Sequence, residues 1–400
     1  MNQSQLSENR YLKDYILERI ASHPQQRITF AEYMEIALYQ PELGYYATNQ
    51  VNIGKSGDFF TASNLSADFG ELLAEQFVEM WEILKCPSVF QVVEMGAGSG
   101  LLAQDILTYV NLKYPRFFQS LEYLIIETAS GLIEAQKQRL SSWLDSAKVS
   151  WKAWETIGDR SIVGCCFSNE LVDAFPVFQI ILKQGQLQEI YVTADLEKNL
   201  IEIADTPSTS RLLDYFEFNQ IPILSESYPE GYRSEVNLAA LDWLETVTTK
   251  LQRGYLLTLD YGYPAARYYS PYRHSGTLQC YYQHQRHNNP YLNIGRQDIT
   301  AHVNFTALER YGDRCGLQQL GLTQQGLFLM ALGIGDRLNA LRDANLSLEQ
   351  TLRRRDALHQ LIDPAGLGNF GVLVQAKGLS EEQKARSLKG LKIPTEFNNP

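Results

Sequence analysis

The five cysteines, Cys86, Cys165, Cys166, Cys280 and Cys315, include no C-x-x-C pair. A zinc ribbon and a thioredoxin-like redox motif are therefore absent, and unpatterned thiols suit a reducing compartment. No stretch approaches the roughly 20 apolar residues that span a bilayer, which argues against direct membrane insertion. Basic residues are in deficit, 35 Lys and Arg against 46 Asp and Glu, for a formal charge of −11. That balance argues against a nucleic-acid partner, whose binder carries a basic face. The N-terminus lacks the basic-then-apolar order of a signal peptide, and Glu8, Asp14 and Glu18 make it too acidic for a transit peptide. A soluble cytoplasmic protein is expected. His274, His284, His287 and His302 match no common zinc spacing, and no cysteine pair joins them, so no metal site is expected. There is no internal repeat and no low-complexity tract. With 400 residues and 44% hydrophobic content, the chain can bury a large core as one domain with insertions or as two.

The densest local pattern is Val92-Val93-Glu94-Met95-Gly96-Ala97-Gly98-Ser99-Gly100. The apolar run from Val89 to Met95 predicts a buried parallel strand, and Leu101 to Leu107 continues as a helix. Strand, glycine turn and helix form the layout of a nucleotide-binding βα unit. A dinucleotide fingerprint would require a third glycine at position 101, which is Leu101. The G-x-G-x-G series with Glu94 two residues ahead instead resembles motif I of S-adenosylmethionine-dependent methyltransferases. That cofactor carries an amino-acid tail whose ammonium an acidic strand end attracts, and it has no pyrophosphate to cradle. A second acidic strand end, Tyr123-Leu124-Ile125-Ile126-Glu127, stands where doubly wound sheets hold ribose hydroxyls, somewhat beyond the usual 20-residue spacing. The plainer alternative for Glu127 is a capping or solvated carboxylate.

Alternating strand and helix between 88 and 178 predicts a parallel sheet covered on both faces, with strands near 89–95, 121–127, 147–151 and 162–168. Residues 1–87 read as an N-terminal helical segment with a glycine-rich loop, 44–57. Thr29-Phe30-Ala31-Glu32 resembles a capping box. Residues 179–234 read as an inserted subdomain of short antiparallel strands. The core resumes over 235–376, interrupted by the irregular, tyrosine-rich stretch 261–304, and 377–400 is a tail. A long irregular segment is more often functional than structural. The Arg353-Arg354-Arg355 run reads as a solvated helix face.

Ser168-Asn169-Glu170-Leu171-Val172-Asp173-Ala174-Phe175-Pro176 begins where the fourth strand ends, the position at which open α/β sheets gather ligands. Glu170 and Asp173 can face one pocket. Paired carboxylates orient a guanidinium bidentately, localise its charge away from the attacking nitrogen and later accept its proton. The alternative is that Asp173 caps a helix N-terminus.

At this point the resemblance becomes specific. Gly57-Asp58-Phe59-Phe60-Thr61, the Glu94–Gly100 loop, Asn169-Glu170-x-x-Asp173-Ala174-x-Pro176, Asp260-Tyr261-Gly262-Tyr263 and Asp298-Ile299-Thr300-Ala301-His302-Val303-x-Phe305 occur in order. Together they resemble the MidA-like family of class I methyltransferases, over roughly residues 10 to 376. That family includes a mitochondrial arginine methyltransferase needed for complex I assembly. The resemblance implies an α/β, Rossmann-like class I methyltransferase fold: a seven-stranded mixed sheet with an N-terminal helical segment and an inserted substrate-binding subdomain. It implies S-adenosyl-L-methionine as cofactor, bound by Asp58, Thr61, Glu94, Gly96, Gly98, Gly100, Glu127 and Asn169. Catalytic roles are implied for Asn169, Glu170, Asp173 and His302, the last as an anchor of the long loop or as a lining of the substrate channel. The implied partner is a protein substrate, a subunit of an NADH dehydrogenase-like complex, methylated on arginine.

The chain departs from the family at Ser63 and Asn64, where proline and glutamate are common, and at Asn304, often aspartate. Its glycine loop also lacks the usual proline and arginine. The rival readings are a non-catalytic cofactor-binding assembly factor, a small-molecule methyltransferase and an oxidoreductase, against which Leu101 weighs. The oligomeric state is left open.

Overall fold

The computed structural model describes residues 9–47, 62–144, 148–283, 285–341 and 346–392. Seven strands form the central sheet: β1 (Phe90–Met95), β2 (Leu121–Ile126), β3 (Val149–Lys152), β4 (Ile162–Asn169), β5 (Leu251–Asp260), β6 (Gln318–Gln324) and β7 (Gly371–Lys377). Their order is β3-β2-β1-β4-β5-β7-β6. All neighbouring pairs from β3 to β5 are parallel, and β7 runs antiparallel between β5 and β6. The sheet is thus seven-stranded and mixed, as expected.

Period-two alternation sorts the strand residues into two layers. Val92, Tyr123, Ile125, Cys165, Phe167 and Leu257 face one layer. It is closed by helices α3 (Asp68–Ile83) and α4 (Leu101–Lys113) and, from the C-terminal part, α8 (Leu348–Ile362). Val93, Leu124, Ile126, Cys166 and Leu256 face the other, under α6 (Leu238–Lys250) and α7 (Phe305–Arg314). Cys165 and Cys166 are therefore packing residues of opposite layers, and burial pushes both thiols up.

The N-terminal helices α1 (Arg10–Ser22) and α2 (Phe30–Tyr39) join the insertion rather than the core. Between them Ile28–Thr29 pairs antiparallel with Gln186–Ala194, the centre of a second sheet that also contains Phe178–Lys183, Leu200–Asp205 and Arg233–Val236. Thr29 caps α2, its hydroxyl accepting from Glu32 N–H at 3.0 Å. The capping box is not completed in the expected way, because the Glu32 carboxylate pairs with Arg19. Leu12, Ile16, Phe30 and Tyr33 pack with Val177, Val192, Ile294 and Ile299, so the N-terminus, the insertion and the long stretch after β5 form one body above the carboxyl ends of the strands.

That long stretch is not structureless. It holds Gly262–Tyr263 paired with Val303–Asn304, and a three-stranded ribbon of Gln285–His287, Gln279–Tyr282 and Asp298–Thr300. The pieces are too short for periodicity to register in the sequence. Asn304, where the family often has aspartate, caps α7: its carbonyl oxygen accepts from Ala307 N–H and its amide donates to the Tyr215 hydroxyl.

The Arg353–Arg355 run is corrected in its middle member. Arg354 makes a bidentate pair with Asp68, at 2.8 and 2.6 Å, and Arg337 adds a contact at 3.0 Å. Asp68 is 1% exposed. Burial alone would raise its pKa, but hydrogen bonds from Arg354 and Ser66 hold it below the ordinary carboxylate range. Fork-to-fork geometry is the strong form of such a pair, and it ties the C-terminal helices to the start of α3.

Candidate functional site

The order β3-β2-β1-β4-β5 reverses direction between β1 and β4, and ligand crevices form at such switch points. A cleft of about 820 Å³ opens there, lined by Glu94, Gly96, Gly98, Glu127, Asn169 and Glu170. Each of these comes from the carboxyl end of β1, β2 or β4 or from the turn that follows.

The glycine loop needs glycine for two different reasons. Gly96 has φ +71°, and a Cβ there would stand 2.8 Å from Leu171 Cδ1. Gly100 has φ +75° and is the N-cap of α4, packed against Gln136 behind the cleft. Gly100 thus shapes the loop without lining the cleft, whereas Gly96 and Gly98 line it. Glu94 is buried, with its Oε2 accepting from the Tyr123 hydroxyl at 2.7 Å. Burial, then the neighbouring Glu127, pushes its pKa up to about 7. Glu127 Oε1 accepts from the N–H groups of Thr128 and Ala129 at 2.9 and 3.0 Å, in the turn ahead of the helix that starts at Ser130, so it orders that turn rather than capping the helix.

Sequence reasoning missed Gln136. It is fully buried on the helix α5 (Ser130–Arg139). Its amide donates to the Gly98 carbonyl at 2.8 Å and to Glu127 Oε2 at 3.2 Å, and its own oxygen accepts from Trp151 Nε1 at 2.8 Å. One side chain therefore ties the glycine loop, the end of β2 and β3 together. A glutamine within a helix carries no signal in sequence that could have singled it out.

Beyond the cleft lies a second, solvent-open cavity, whose walls include Asp173, Tyr261, Arg273, Arg286, Asp298 and His302. Glu170 and Tyr46 line both spaces and form the wall between them. Glu170 sits just past β4 with φ +52°, a left-handed conformation that costs a non-glycine residue about 1 kcal/mol. Its Oε1 accepts from Asn169 Nδ2 at 3.2 Å and from Ala62 N–H at 3.3 Å. Burial, then Asp173, pushes its pKa up to about 8.

The capping role considered for Asp173 falls mainly to Asp260, at the end of β5. Asp260 Oδ2 accepts from the N–H groups of Val172 and Asp173, at 2.9 and 3.3 Å. The Asp173 carboxylate meets the Tyr261 hydroxyl instead, and its Oδ1 has no protein partner. Burial pushes the Asp173 pKa up to about 6 and that of Asp260 well above its ordinary value. A third cavity carboxylate, Asp298, accepts from the Tyr46 hydroxyl at 2.8 Å.

His302 stands on the cavity wall, stacked on Tyr263 at 5.0 Å and edge-on to Tyr261 at 5.0 Å. Burial, with Arg273, Arg267 and Arg286 around it, lowers its pKa to about 4. Such an imidazole is neutral at physiological pH and too weakly basic to take up a proton there. Asp58 and Thr61 lie outside the described residues. On either side of that stretch, Tyr46 and Ser63 border the cleft.

Asn169 provides a test of what the cleft holds. Its amide is committed to Glu170, while its buried Oδ1 lacks a protein partner. A buried acceptor left unsatisfied is costly, and a ligand N–H or ammonium answers it. Two acids at strand ends, glycine backbone without Cβ cover and this orphaned acceptor fit a ligand carrying both an amino-acid tail and a ribose.

Comparisons with known proteins agree with that geometry. Residues 72–323 match the model of a family described as "Putative S-adenosyl-L-methionine-dependent methyltransferase". A Drosophila melanogaster protein named protein arginine methyltransferase NDUFAF7 homolog, mitochondrial, is 28% identical over 85% of this chain and 79% of its own. The Homo sapiens protein arginine methyltransferase NDUFAF7, mitochondrial, is 25% identical over 90% and 83%. A crystal structure from Burkholderia thailandensis, described as a "likely methyl transferase" bound to S-adenosyl-homocysteine, superposes with a TM-score of 0.84. It is 28% identical and covers 99% of both chains. The cytoplasmic location expected from the sequence is overturned by the Drosophila and human relatives, which are named mitochondrial. The expectation failed because unpatterned thiols report a reducing environment without saying which one.

Proposed function

The chain belongs to the S-adenosyl-L-methionine-dependent methyltransferase family whose model spans residues 72–323, and from that premise we propose that it methylates an arginine side chain of a protein. The single observation that carries this reading is the shared wall. Glu170 borders both the cofactor cleft and a cavity lined by further carboxylates, so a cation drawn to them arrives beside the cofactor.

The cofactor supplies an electrophilic methyl group on a sulfonium. In this proposal Gly96 and Gly98 cradle its methionine end, Glu94 and Asn169 face its ammonium, and Glu127 takes the ribose hydroxyls. Asp58 and Thr61 belong to the same site on the family resemblance. Glu170 and Asp173 bind the guanidinium, which is always charged and a poor nucleophile, and draw its positive charge away from the attacking nitrogen. That nitrogen forms the new N–C bond as the C–S bond breaks, and the electron pair stays on sulfur. The nitrogen's surplus proton passes to a carboxylate, for which Glu170 is suitably basic. His302 shapes the cavity rather than moving the proton. The acceptor is proposed, on the family resemblance and the names of the relatives, to be a subunit of an NADH dehydrogenase-like complex whose assembly it supports.

Incubating the protein with methyl-labelled S-adenosylmethionine and lysate from a strain lacking its gene tests the reading. One labelled protein band that yields methylarginine on hydrolysis is expected. Label confined to small molecules, or none from a protein shown to bind the cofactor, would defeat it. Gln136→Leu is expected to weaken S-adenosylhomocysteine binding about tenfold by calorimetry, because it releases the Gly98 carbonyl and Glu127 together and leaves buried groups unpaired. An unchanged affinity would show that the tether is not needed.

A further inference from the structure

The substrate cavity is lined by charges of both signs, and only the acids suit a cationic acceptor. Near the cofactor wall stand Glu170 itself, Asp173, and Asp298 held by Tyr46. The same lining carries two arginines. Arg273 lies over the Tyr263 ring, 4.7 Å from its centroid, and Tyr263 stacks on His302. Arg286 is the cross-strand partner of Tyr281 in the ribbon that roofs the cavity. His302 feels both arginines. Among the described residues, neither Arg273 nor Arg286 forms an ion pair with a carboxylate, and Arg273 Nε is buried without a hydrogen-bond partner.

Two unneutralised guanidinium groups in the cavity that must admit a third would repel it. The arrangement becomes favourable when the incoming segment brings its own anion. We propose that the acceptor arginine is delivered on an acidic segment, with an Asp or Glu a few residues away docking against Arg273 and Arg286. Planar guanidinium groups recognise carboxylates in two-point geometry, and the orphaned Arg273 Nε is a donor ready for one. The carboxylate of the segment then docks on the two arginines while its arginine lies against Glu170 and Asp173. This deepens the arginine reading above and rests on it.

A peptide library with one fixed arginine and randomised flanks, incubated with the full-length protein and methyl-labelled S-adenosylmethionine, tests the idea. Sequencing the methylated fraction of the wild type should show Asp or Glu enriched about tenfold over Asn or Gln at one or two flanking positions, the usual worth of a charge-assisted contact. Arg286→Gln and Arg273→Gln should each diminish that enrichment, and Arg286→Glu should turn it toward Lys. Preference is a ratio within one sample, so it is read independently of a variant's total activity, and S-adenosylhomocysteine calorimetry reports whether each variant is folded. Methylated arginine with no acidic preference in the wild type, or a preference that survives in all three variants, overturns the proposal. If no library arginine is methylated while the cofactor product binds, the arginine reading itself fails and the acidic segment falls with it.

Discussion

Glu170→Gln is expected to lower kcat for methyl transfer about a thousandfold while S-adenosylhomocysteine affinity stays within a few-fold, a loss in the range for positioned charged and proton-accepting groups. The substitution keeps shape and keeps an oxygen for the Asn169 amide and the Ala62 N–H, so the wall between the two spaces should remain. What disappears is the negative charge beside the reacting guanidinium. Asp173→Asn should act in the same direction, since Asp173 lines the same cavity with its Oδ1 unpaired. Stability supplies a second readout. The folded pKa of Glu170, about 8, stands above its ordinary 4.5, so the unfolded chain gives up this proton first as pH rises. The ionised carboxylate therefore destabilises the fold progressively from about pH 4.5 to 8 and fully above that range, by an amount on the order of 2–5 kcal/mol. Glutamine has no such deficit, and Glu170→Gln should be more stable than wild type to urea at pH 9, with the gap closing near pH 4. A merely structural Glu170 predicts the opposite pair of results: lower stability, with cofactor affinity and transfer lost together.

The same tension explains what could and could not be read in the sequence. Strands β1, β2, β4 and β5 announce themselves as apolar runs, because strands covered on both faces exclude polar residues. Their carboxyl ends are marked by acids that close the apolar runs, so Glu94, Glu127, Glu170 and Asp260 were all visible. β6 was not: Gln318–Gln324 is half-exposed and polar at the sheet edge, without the pattern of its neighbours. The ribbon at 279–300 escaped notice because three or four residues per strand give periodicity nothing to repeat. Gln136 and Arg354 escaped for a third reason. Each is an ordinary residue on an ordinary helix, and its importance lies wholly in partners outside that helix, Gly98 and Glu127 for one, Asp68 for the other. The carboxylate pair at 170 and 173 was legible as chemistry, whereas the assignment of the cap to Asp260 required the fold.

With cofactor saturating, kcat/KM for the arginine substrate is expected to rise about tenfold per pH unit up to about pH 8 and level off above it, so that pH 6 lies about a hundredfold below pH 9. The sign follows from which form is useful. A protonated Glu170 is neutral and can neither neutralise a guanidinium nor accept its proton, and burial holds it protonated until its pKa of about 8. The substrate contributes no step of its own, because an arginine side chain stays charged throughout this range. Asp173, at about 6, steepens the fall below pH 6, and with Asp260 behind it the three carboxylates lose protons as a cluster whose observed steps belong to the group. Saturating cofactor matters because Glu94, at about 7, titrates in the cofactor cleft and would otherwise add a step of its own. Bound substrate should move the step downward in kcat, since a guanidinium beside Glu170 favours its charged form, and binding should release protons to the buffer, measurable as a dependence of the calorimetric enthalpy on buffer ionisation. In Glu170→Gln the residual activity should lose the step near pH 8 and keep the lower one. A wild-type profile flat from pH 6 to 9 would mean that the carboxylates at the wall are already ionised before substrate arrives, and Glu170 would no longer be the group that sets the rate.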